Sequence, residues 1–311
     1  MLAIIIPYYK LSFFAETIQS LASQTDKRFK VYIGDDASAE DCTFLLEQFR
    51  GKFDFKYHRF ENNLGGISLS KQWDRCIALS AEEEWIMILG DDDVLEDTVV
   101  ASWYENYVFF NEKSNLIRFA TKVINEKSET ISKVYNHPLW EKESDFFIRS
   151  EKKQSRSSLS EYIFSRKSYI KYGFYDYPLA WGSDCKAWLE FPDAKLIYTI
   201  NDSIVHFRIS NLNISGRKDS QELKDKANIQ LFKDILTKKL NLFSHNQRLD
   251  LLMMYELAIK ENRKLGMQEW SFLIKLYIYN FNFVSFCKCI RRFFVSILAL
   301  DKNRIKIELI K

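Results

Sequence analysis

Apolar runs alternate with helical periodicities along the first 210 residues. Short apolar runs that end at a proline, a glycine or a carboxylate predict buried strands at "LAIIIPYY", "FKVYIGD" and "WIMILG". Apolar residues at helical spacing predict helices at "FAETIQSLASQ", "CTFLLEQFRGKF" and "LSKQWDRCIALSA", with a further short strand at "FKYHRFE". This alternation predicts βαβ units and a mainly parallel sheet with helices on its faces.

The pattern changes further along the chain. "LIRFATKVI" and "TISKVYN" predict strands, "EKKQSRSSLS" predicts a mobile polar loop, and "AKLIYTINDSIVHFRIS" predicts a closing hairpin or strand pair. After "NLNISG" the pattern predicts helices, in a stretch that is rich in Leu, Phe, Tyr and Lys. We therefore predict an α/β domain over residues 1–215 and a helical, basic and aromatic region over residues 216–311.

Composition indicates a folded protein of ordinary polarity. The 311 residues are 47% hydrophobic and 28% charged, which argues against extensive disorder. Five scattered cysteines without a C-x-x-C pair predict reduced thiols and a cytoplasmic location. The strand-like amino terminus predicts no signal peptide, and no window is apolar enough to predict a membrane-spanning helix.

Charge is distributed unevenly. The net charge is +3, but residues 221–311 hold 17 Lys and Arg against 9 Asp and Glu, so the first 220 residues are acidic. The mixture of aromatic and basic residues near the carboxyl end is typical of a helix that lies on a membrane surface. The alternative is a helical subdomain that packs on the catalytic domain. Since no recognised nucleic-acid module is present, we predict no nucleic-acid partner.

Three consecutive carboxylates, Asp91, Asp92 and Asp93, follow the apolar run "WIMIL" and Gly90. Adjacent carboxylates repel one another, and this crowding is tolerated where a cation neutralises it. Mg²⁺ and Mn²⁺ prefer hard oxygen ligands and bind through one or two carboxylates together with substrate phosphates. The run therefore predicts a divalent-metal site, with a solvated turn or helix cap as the alternative.

Other polar residues are candidates with simpler alternatives. Asp36 follows the second strand and suits a hydrogen bond to a nucleotide base or ribose, or a helix cap. Lys71 could offer a point charge to a diphosphate, or lie solvated on a helix. His206 and Arg208 are candidates for diphosphate contacts. Trp181 could stack on a sugar or pack in the core.

The ordered segments "IIIPYYK", "YIGDDAS", "NLGGISLSKQW", "WIMILGDDDVLE" and "LAWGSDCKAW" resemble those of the family 2 glycosyltransferases with the GT-A fold. The resemblance spans residues 1 to about 210. It implies a Rossmann-like, mixed and mainly parallel sheet flanked by helices, followed by a helical extension.

The resemblance also implies roles for individual residues. The residues placed against the nucleotide sugar are Pro7, Tyr9, Asp36, Lys71 and Asp91, with Asp91 near the ribose. The metal residues are Asp92 and Asp93, which overlay the DxD motif, and the catalytic base is Asp184. Two positions depart from the family pattern, because Gly90 stands where an aspartate is usual and Ser183 where a glutamate is usual.

The implied activity is an inverting sugar transfer that depends on Mn²⁺ or Mg²⁺. The expected donor is a nucleotide-diphosphate sugar, with UDP as the expected nucleotide. The expected acceptor is a glycan or a lipid-linked carrier in bacterial surface polysaccharide synthesis, with peripheral contact at the inner face of the membrane. The alternative is a non-catalytic scaffold that binds nucleotide sugars in a glycan-assembly complex.

Overall fold

The structure is a computed structural model that describes residues 1–80, 82–217 and 219–308, with side chains described up to residue 298. Within these residues one sheet is formed by β1 (Leu2–Tyr8), β2 (Phe29–Asp35), β3 (Asp54–Arg59), β4 (Trp85–Ile88), β5 (Val94–Leu95), β6 (Leu116–Ile124), β7 (Trp140–Glu141), β8 (Tyr162–Ser165) and β9 (Ile197–Arg208).

Helices separate the strands and continue beyond them. Those between the strands are α1 (Phe14–Ala22), α2 (Thr43–Glu47), α3 (Leu69–Ile77), α4 (Val99–Phe110), α5 (Glu143–Glu151), α6 (Arg166–Tyr172) and α7 (Ser183–Glu190). Those after β9 are α8 (Gln221–Asp234), α9 (His245–Lys260), α10 (Met267–Tyr279) and α11 (Phe283–Glu308). Shorter helical segments are Pro178–Ala180, Ile235–Lys239 and Leu240–Leu242.

The sheet is mixed, with the order β3-β2-β1-β4-β8-β6-β9-β5, and β7 also pairs with β9. The first four strands in this order are parallel, and β8 joins them antiparallel to β4. In the register of β1 and β2, Tyr8 lies beside Asp35. The carboxyl ends of β1, β2 and β4 therefore meet at one edge, which is where open α/β sheets bind ligands.

Alternation along β1 directs side chains into two cores. Leu2, Ile4 and Ile6 face a core shared with α1, α2 and α4, and Ala3 and Ile5 face a core shared with α3, α5 and α7. All five residues are fully buried. Burial on both faces explains why β1 reads as one continuous apolar run, as central parallel strands do.

Several local predictions differ from the structure. The helix predicted at "CTFLLEQFRGKF" is the short α2, and "TISKVYN" makes isolated bridges at Thr130 and Tyr135 within the described residues. The predicted closing hairpin is wrong, because residues 197–208 form one strand, β9. Its register with β6 shifts between Phe119 and Ala120, so that three residues of β9 bulge out of the pairing.

The chain divides into two compact units, one of residues Met1–Gln221 and one that begins at Glu222. The first contains the whole described sheet. The second, as far as it is described, is helical from α8 to α11. None of the described helices combines the length and the apolar character that a membrane span requires.

Candidate active site

The loop after β4 is joined to the end of β1 through Asp91. The backbone N–H groups of Tyr9 and Lys10 both donate to Asp91 Oδ2, each at 2.8 Å. Burial, followed by the neighbouring charge of Asp92, raises the pKa of Asp91 to about 7. The structure thus brings together two segments that the sequence separates by some eighty residues.

Asp93 is the most enclosed of the three carboxylates, with 3% of its surface exposed. Its Oδ1 accepts from the backbone N–H of Arg208 at 2.8 Å, and its Oδ2 accepts from the Ser160 hydroxyl. Burial, followed by the Asp92 charge, raises the pKa of Asp93 to about 8. Both oxygens of Asp93 therefore already bind protein donors, and its predicted metal contact stays a prediction.

Asp92 lies between these two residues and is partly exposed. Its Oδ2 accepts one hydrogen bond from Asn213 Nδ2 at 2.9 Å. Burial raises its pKa, and the Asn213 hydrogen bond and the Arg208 charge oppose the rise. A partly exposed carboxylate crowded by two others fits a hard divalent cation. Across the described residues there is no group of three or more His, Cys, Asp or Glu side chains that could hold a metal ion.

Arg208 is fully buried and supports the loop formed by Asp91, Asp92 and Asp93, the acidic loop. Its Nε donates to the backbone carbonyl of Asp92 at 2.8 Å, and its Nη2 donates to Glu16 Oε2 at 2.8 Å. Its Nη1 donates to the Asn125 carbonyl at 2.9 Å and to Ser128 Oγ at 3.0 Å. Every nitrogen of the guanidinium thus has a protein partner, and the predicted diphosphate contact of Arg208 stays a prediction.

Asp36 holds the loop that precedes α3. Its carboxylate accepts from the backbone N–H groups of Leu64 at 2.7 Å and Gly65 at 2.8 Å, and from Arg75. A Cβ added at Gly65 would lie 2.6 Å from Asp36 Oδ2, so glycine permits this close approach. The helix-cap alternative for Asp36 is wrong, because Cys42 occupies the N-cap of α2. Its predicted contact with a base stays a prediction.

The remaining residues predicted to contact the nucleotide sugar lie at the same edge or on α3. Pro7 is half-buried within β1, and Tyr9 is 44% exposed just beyond it. Lys71 is exposed in the first turn of α3, where its backbone N–H donates to the Ser68 cap at 3.3 Å. These positions leave the Tyr9 ring and the Lys71 ammonium accessible to a ligand.

Asp184 lies in the first turn of α7, after a strained turn. Leu179 and Ala180 have φ values of 58° and 51°, which side-chain-bearing residues rarely adopt. The N-cap of α7 is Gly182, so Asp184 is not the cap. Its Oδ1 accepts from the backbone N–H of Cys185 at 2.8 Å, and burial raises its pKa. A partly exposed carboxylate with a raised pKa suits a general base.

His206 lies on β9, where it is paired with β5 at Val94. Its Nε2 is 3.5 Å from Glu96 Oε1, and burial lowers its pKa despite this carboxylate. The side chain thus contacts the β5 segment, and its predicted diphosphate contact stays a prediction. Trp181 is half-buried beside the strained turn, which leaves both stacking and packing open.

Arg156 is a candidate that the sequence reasoning missed. It lies in the serine-rich stretch predicted to be a mobile loop, donates to Glu161 Oε2 at 3.1 Å and lies over the Phe207 ring at 4.3 Å. Burial raises the pKa of Asp93 and of Asp184, and the Arg156 charge opposes both rises. The Arg156 charge therefore acts on both carboxylates. Nothing in the sequence distinguishes it from the other charged residues of the stretch.

A second missed group is the segment after β9. Asn213 donates to Asp92, and the Lys10 ammonium donates to the backbone carbonyl of Leu212. A Cβ at Gly216 would lie 2.0 Å from the Ser210 carbonyl, so glycine is required for the tight path of this segment. Residues 210–216 therefore lie beside the acidic loop and supply a polar partner to it.

Residues 3–153 match the family model described as "Glycosyl transferase family 2". A comparison with curated proteins finds no match. Among solved structures, S. aureus TarS 1–349 in complex with UDP-GlcNAc has a TM-score of 0.64 at 17% identity, over 88% of this chain and 79% of that one. GalNAc-T7 with UDP, GalNAc and Mn²⁺ has a TM-score of 0.52 at 11% identity, over 84% of this chain and 56% of that one.

These structural likenesses show the fold of the chain. The fold predicted from the sequence, a central mixed sheet flanked by helices and followed by further helices, is confirmed.

Proposed function

Because residues 3–153 belong to glycosyl transferase family 2, we propose that the chain is an inverting, metal-dependent glycosyltransferase. It moves a sugar from a UDP-sugar to a hydroxyl group of a glycan or a lipid-linked acceptor. The observation that carries this proposal is the link between β1 and the acidic loop, in which two backbone N–H groups hold Asp91 and leave Asp92 partly exposed.

The donor binds across the carboxyl ends of β1, β2 and β4. Tyr9 offers an exposed aromatic ring for the base, and Asp91 lies directly beside the Tyr9 backbone. Asp36 holds the loop around Gly65, and this loop leads into the helix that carries Lys71. UDP is proposed because TarS was solved with UDP-GlcNAc and GalNAc-T7 with UDP.

Asp92 is the residue best suited to hold Mn²⁺ or Mg²⁺, because it is partly exposed and accepts a single side-chain hydrogen bond from elsewhere in the chain. A bound divalent cation would stabilise the negative charge that grows on the departing diphosphate. Asp93, the next residue, is held by hydrogen bonds from the Ser160 hydroxyl and the Arg208 backbone N–H. In this proposal Asp93 positions the loop.

Asp184 acts as the general base. The acceptor hydroxyl attacks the anomeric carbon from the face opposite the diphosphate, and Asp184 removes its proton as the new bond forms. In-line attack inverts the anomeric configuration. General-base assistance contributes about 10²- to 10⁴-fold. The Arg156 charge opposes the rise in the pKa of Asp184 that burial causes.

The acceptor is proposed to be a growing bacterial surface polysaccharide on a lipid carrier, handled in the cytoplasm at the inner face of the membrane. This part of the proposal depends on the resemblance of the motif set over residues 1 to about 210.

The test is UDP release from a panel of UDP-sugars, measured with and without Mn²⁺. We expect wild-type turnover only with the metal, and Asp92→Ala to remove it. Asp184→Asn should keep donor binding and lose transfer to an acceptor by at least about 100-fold. The matched control is Asp54→Asn, since Asp54 is an exposed carboxylate on β3 with a single surface ion pair.

Two results would contradict the proposal. Donor binding without any turnover would favour the non-catalytic scaffold. Full transfer by Asp184→Asn would remove that residue from the role of base.

A further inference from the structure

Helix α11 has apolar side chains on two opposite faces. On the inner face Cys289 is fully buried and Phe293 packs against Trp270 with ring centroids 5.7 Å apart. The outer face exposes Phe283, Val284, Phe294, Val295 and Leu298, each between 56% and 69%. These five residues recur with helical spacing, so they form one stripe along the helix.

The outer face also carries positive charge. Lys288 and Arg291 are exposed and lie within the stripe by the same helical spacing. Arg292 differs, because it points inward and makes two hydrogen bonds to Glu256, at 2.7 and 2.9 Å. From Trp270 to Leu300 the sequence contains four Lys and Arg residues and no Asp or Glu. The cations of the outer face are therefore not balanced by acidic neighbours in sequence.

The exposed apolar surface continues around the turn between α10 and α11. Ile278, Tyr279 and Phe281 are 57%, 76% and 59% exposed. A groove lined by Met267, Ser271, Ile274, Lys275, Ile278 and Phe293 extends it along α10. Contiguous exposed apolar patches on a folded protein mark an interaction site.

We propose that this outer face of α11, with the adjoining turn, binds the surface of an anionic lipid bilayer. Apolar and aromatic side chains interleaved with cations match an interface whose headgroups are negative and whose interior is apolar. A second copy of the chain fits less well, because a symmetric contact would bring like charges of Lys288 and Arg291 together. In this proposal the helix lies on the membrane surface.

This inference rests on the proposed function, for which it names the surface that contacts the membrane. The residues of that surface lie outside residues 3–153, which match the family model. Vesicle binding and sugar transfer can therefore fail separately, and each is measured by itself.

The test is flotation of the full chain with vesicles of phosphatidylcholine alone, or with about a third phosphatidylglycerol. We expect binding to the anionic vesicles only, with loss at high salt. Neutralising both cations in Lys288→Gln/Arg291→Gln should weaken binding by about 25-fold, at about fivefold for each cation. Phe294→Ser/Val295→Ser should weaken it by at least about tenfold, because apolar contact is lost.

The matched control is Val108→Ser/Lys113→Glu, which changes an exposed apolar residue at 72% exposure and an exposed cation at the end of α4. It should bind like the wild type. Equal binding by the α11 variants, or no binding by the wild type, would overturn the proposal. Sedimentation velocity without lipid tests whether this face instead forms a contact between copies of the chain. Self-association that the α11 substitutions abolish would identify the face as a contact between copies and also overturn it.

Discussion

Replacing Arg208 with leucine tests whether this residue supports the acidic loop. In the structure the buried guanidinium donates to the backbone of Asp92, to the Asn125 carbonyl, to Ser128 and to Glu16. If support is its main role, Arg208→Leu destabilises the unit of residues Met1–Gln221. If a diphosphate contact is its main role, the same change weakens donor binding and leaves stability almost unchanged.

The magnitude follows from the groups that lose their donor. Three acceptors (the Asp92 carbonyl, the Asn125 carbonyl and Ser128 Oγ) would each cost about 1–3 kcal/mol if left unpaired. The ion pair with Glu16 adds little, because the Glu16 side chain is 48% exposed. Since water can replace some donors, we expect a loss of about 3–6 kcal/mol. For a unit of this size the loss lowers Tm by about 6–24 °C.

Denaturant unfolding monitored by tryptophan fluorescence is the assay. Six of the seven tryptophans lie before residue 222, so the fluorescence signal reports mainly on the unit of residues Met1–Gln221. Arg50→Leu is the matched control, because Arg50 is 69% exposed and pairs only with Glu47 on the surface. It should cost less than about 1 kcal/mol. If Arg208→Leu is no less stable than Arg50→Leu, the structural reasoning is refuted.

Two further substitutions test the loop around Asp36 and the pKa of the base. Gly65→Ala places a Cβ 2.6 Å from Asp36 Oδ2, a carboxylate held by three donors, so we expect a loss of about 1–3 kcal/mol in thermal-shift measurements and weaker donor binding. Arg156→Gln removes a charge that opposes the burial-driven rise in the pKa of Asp184. If Asp184 is the base, as proposed, only its ionised form accepts a proton, so the acid limb of the pH–rate profile should move to higher pH.

Both substitutions have controls in the chain. At Gly266, the N-cap of α10, an added Cβ lies an ordinary 3.6 Å from Glu269, so Gly266→Ala should cost only the weaker cap, about 1 kcal/mol or less. Arg50→Gln changes an exposed cation beyond the end of α2 and should leave the acid limb in place. An acid limb that does not move in Arg156→Gln would show that this charge does not act on the base.

Local patterns were sufficient for much of the fold. β1 and β4 are apolar on both faces because helices cover both, and that continuous pattern is readable in the sequence. β9 was predicted wrongly as a hairpin or strand pair, because a polar run, Asn201, Asp202 and Ser203, divides its apolar residues. In the structure these three residues bulge from a strand that pairing with β6 keeps continuous. Pairing between distant segments decided the outcome, and it leaves no local signal.

The outline of the candidate site could be predicted from the order of the strands. Strand ends in a parallel sheet meet at one edge, so Tyr9 and Asp91 could be expected near each other, and the Tyr9 backbone N–H donates to Asp91. Arg156 and Asn213 could not be found in this way, because irregular segments bring them to the acidic loop. Nothing in the composition of "EKKQSRSSLS" or "NLNISG" marks these contacts.

The three carboxylates of the acidic loop have different environments, and this difference favours Asp92 as the residue that holds a cation. Backbone N–H groups hold Asp91 against the end of β1, and Asp93 points inward to Ser160 and the Arg208 backbone. Asp92 is left with a single donor from another segment, Asn213, which a cation could replace. Asn213→Ala should therefore tighten or preserve Mn²⁺ binding measured by calorimetry, whereas Asp92→Ala should abolish it. Loss of metal binding in Asn213→Ala would instead make the amide part of the metal site.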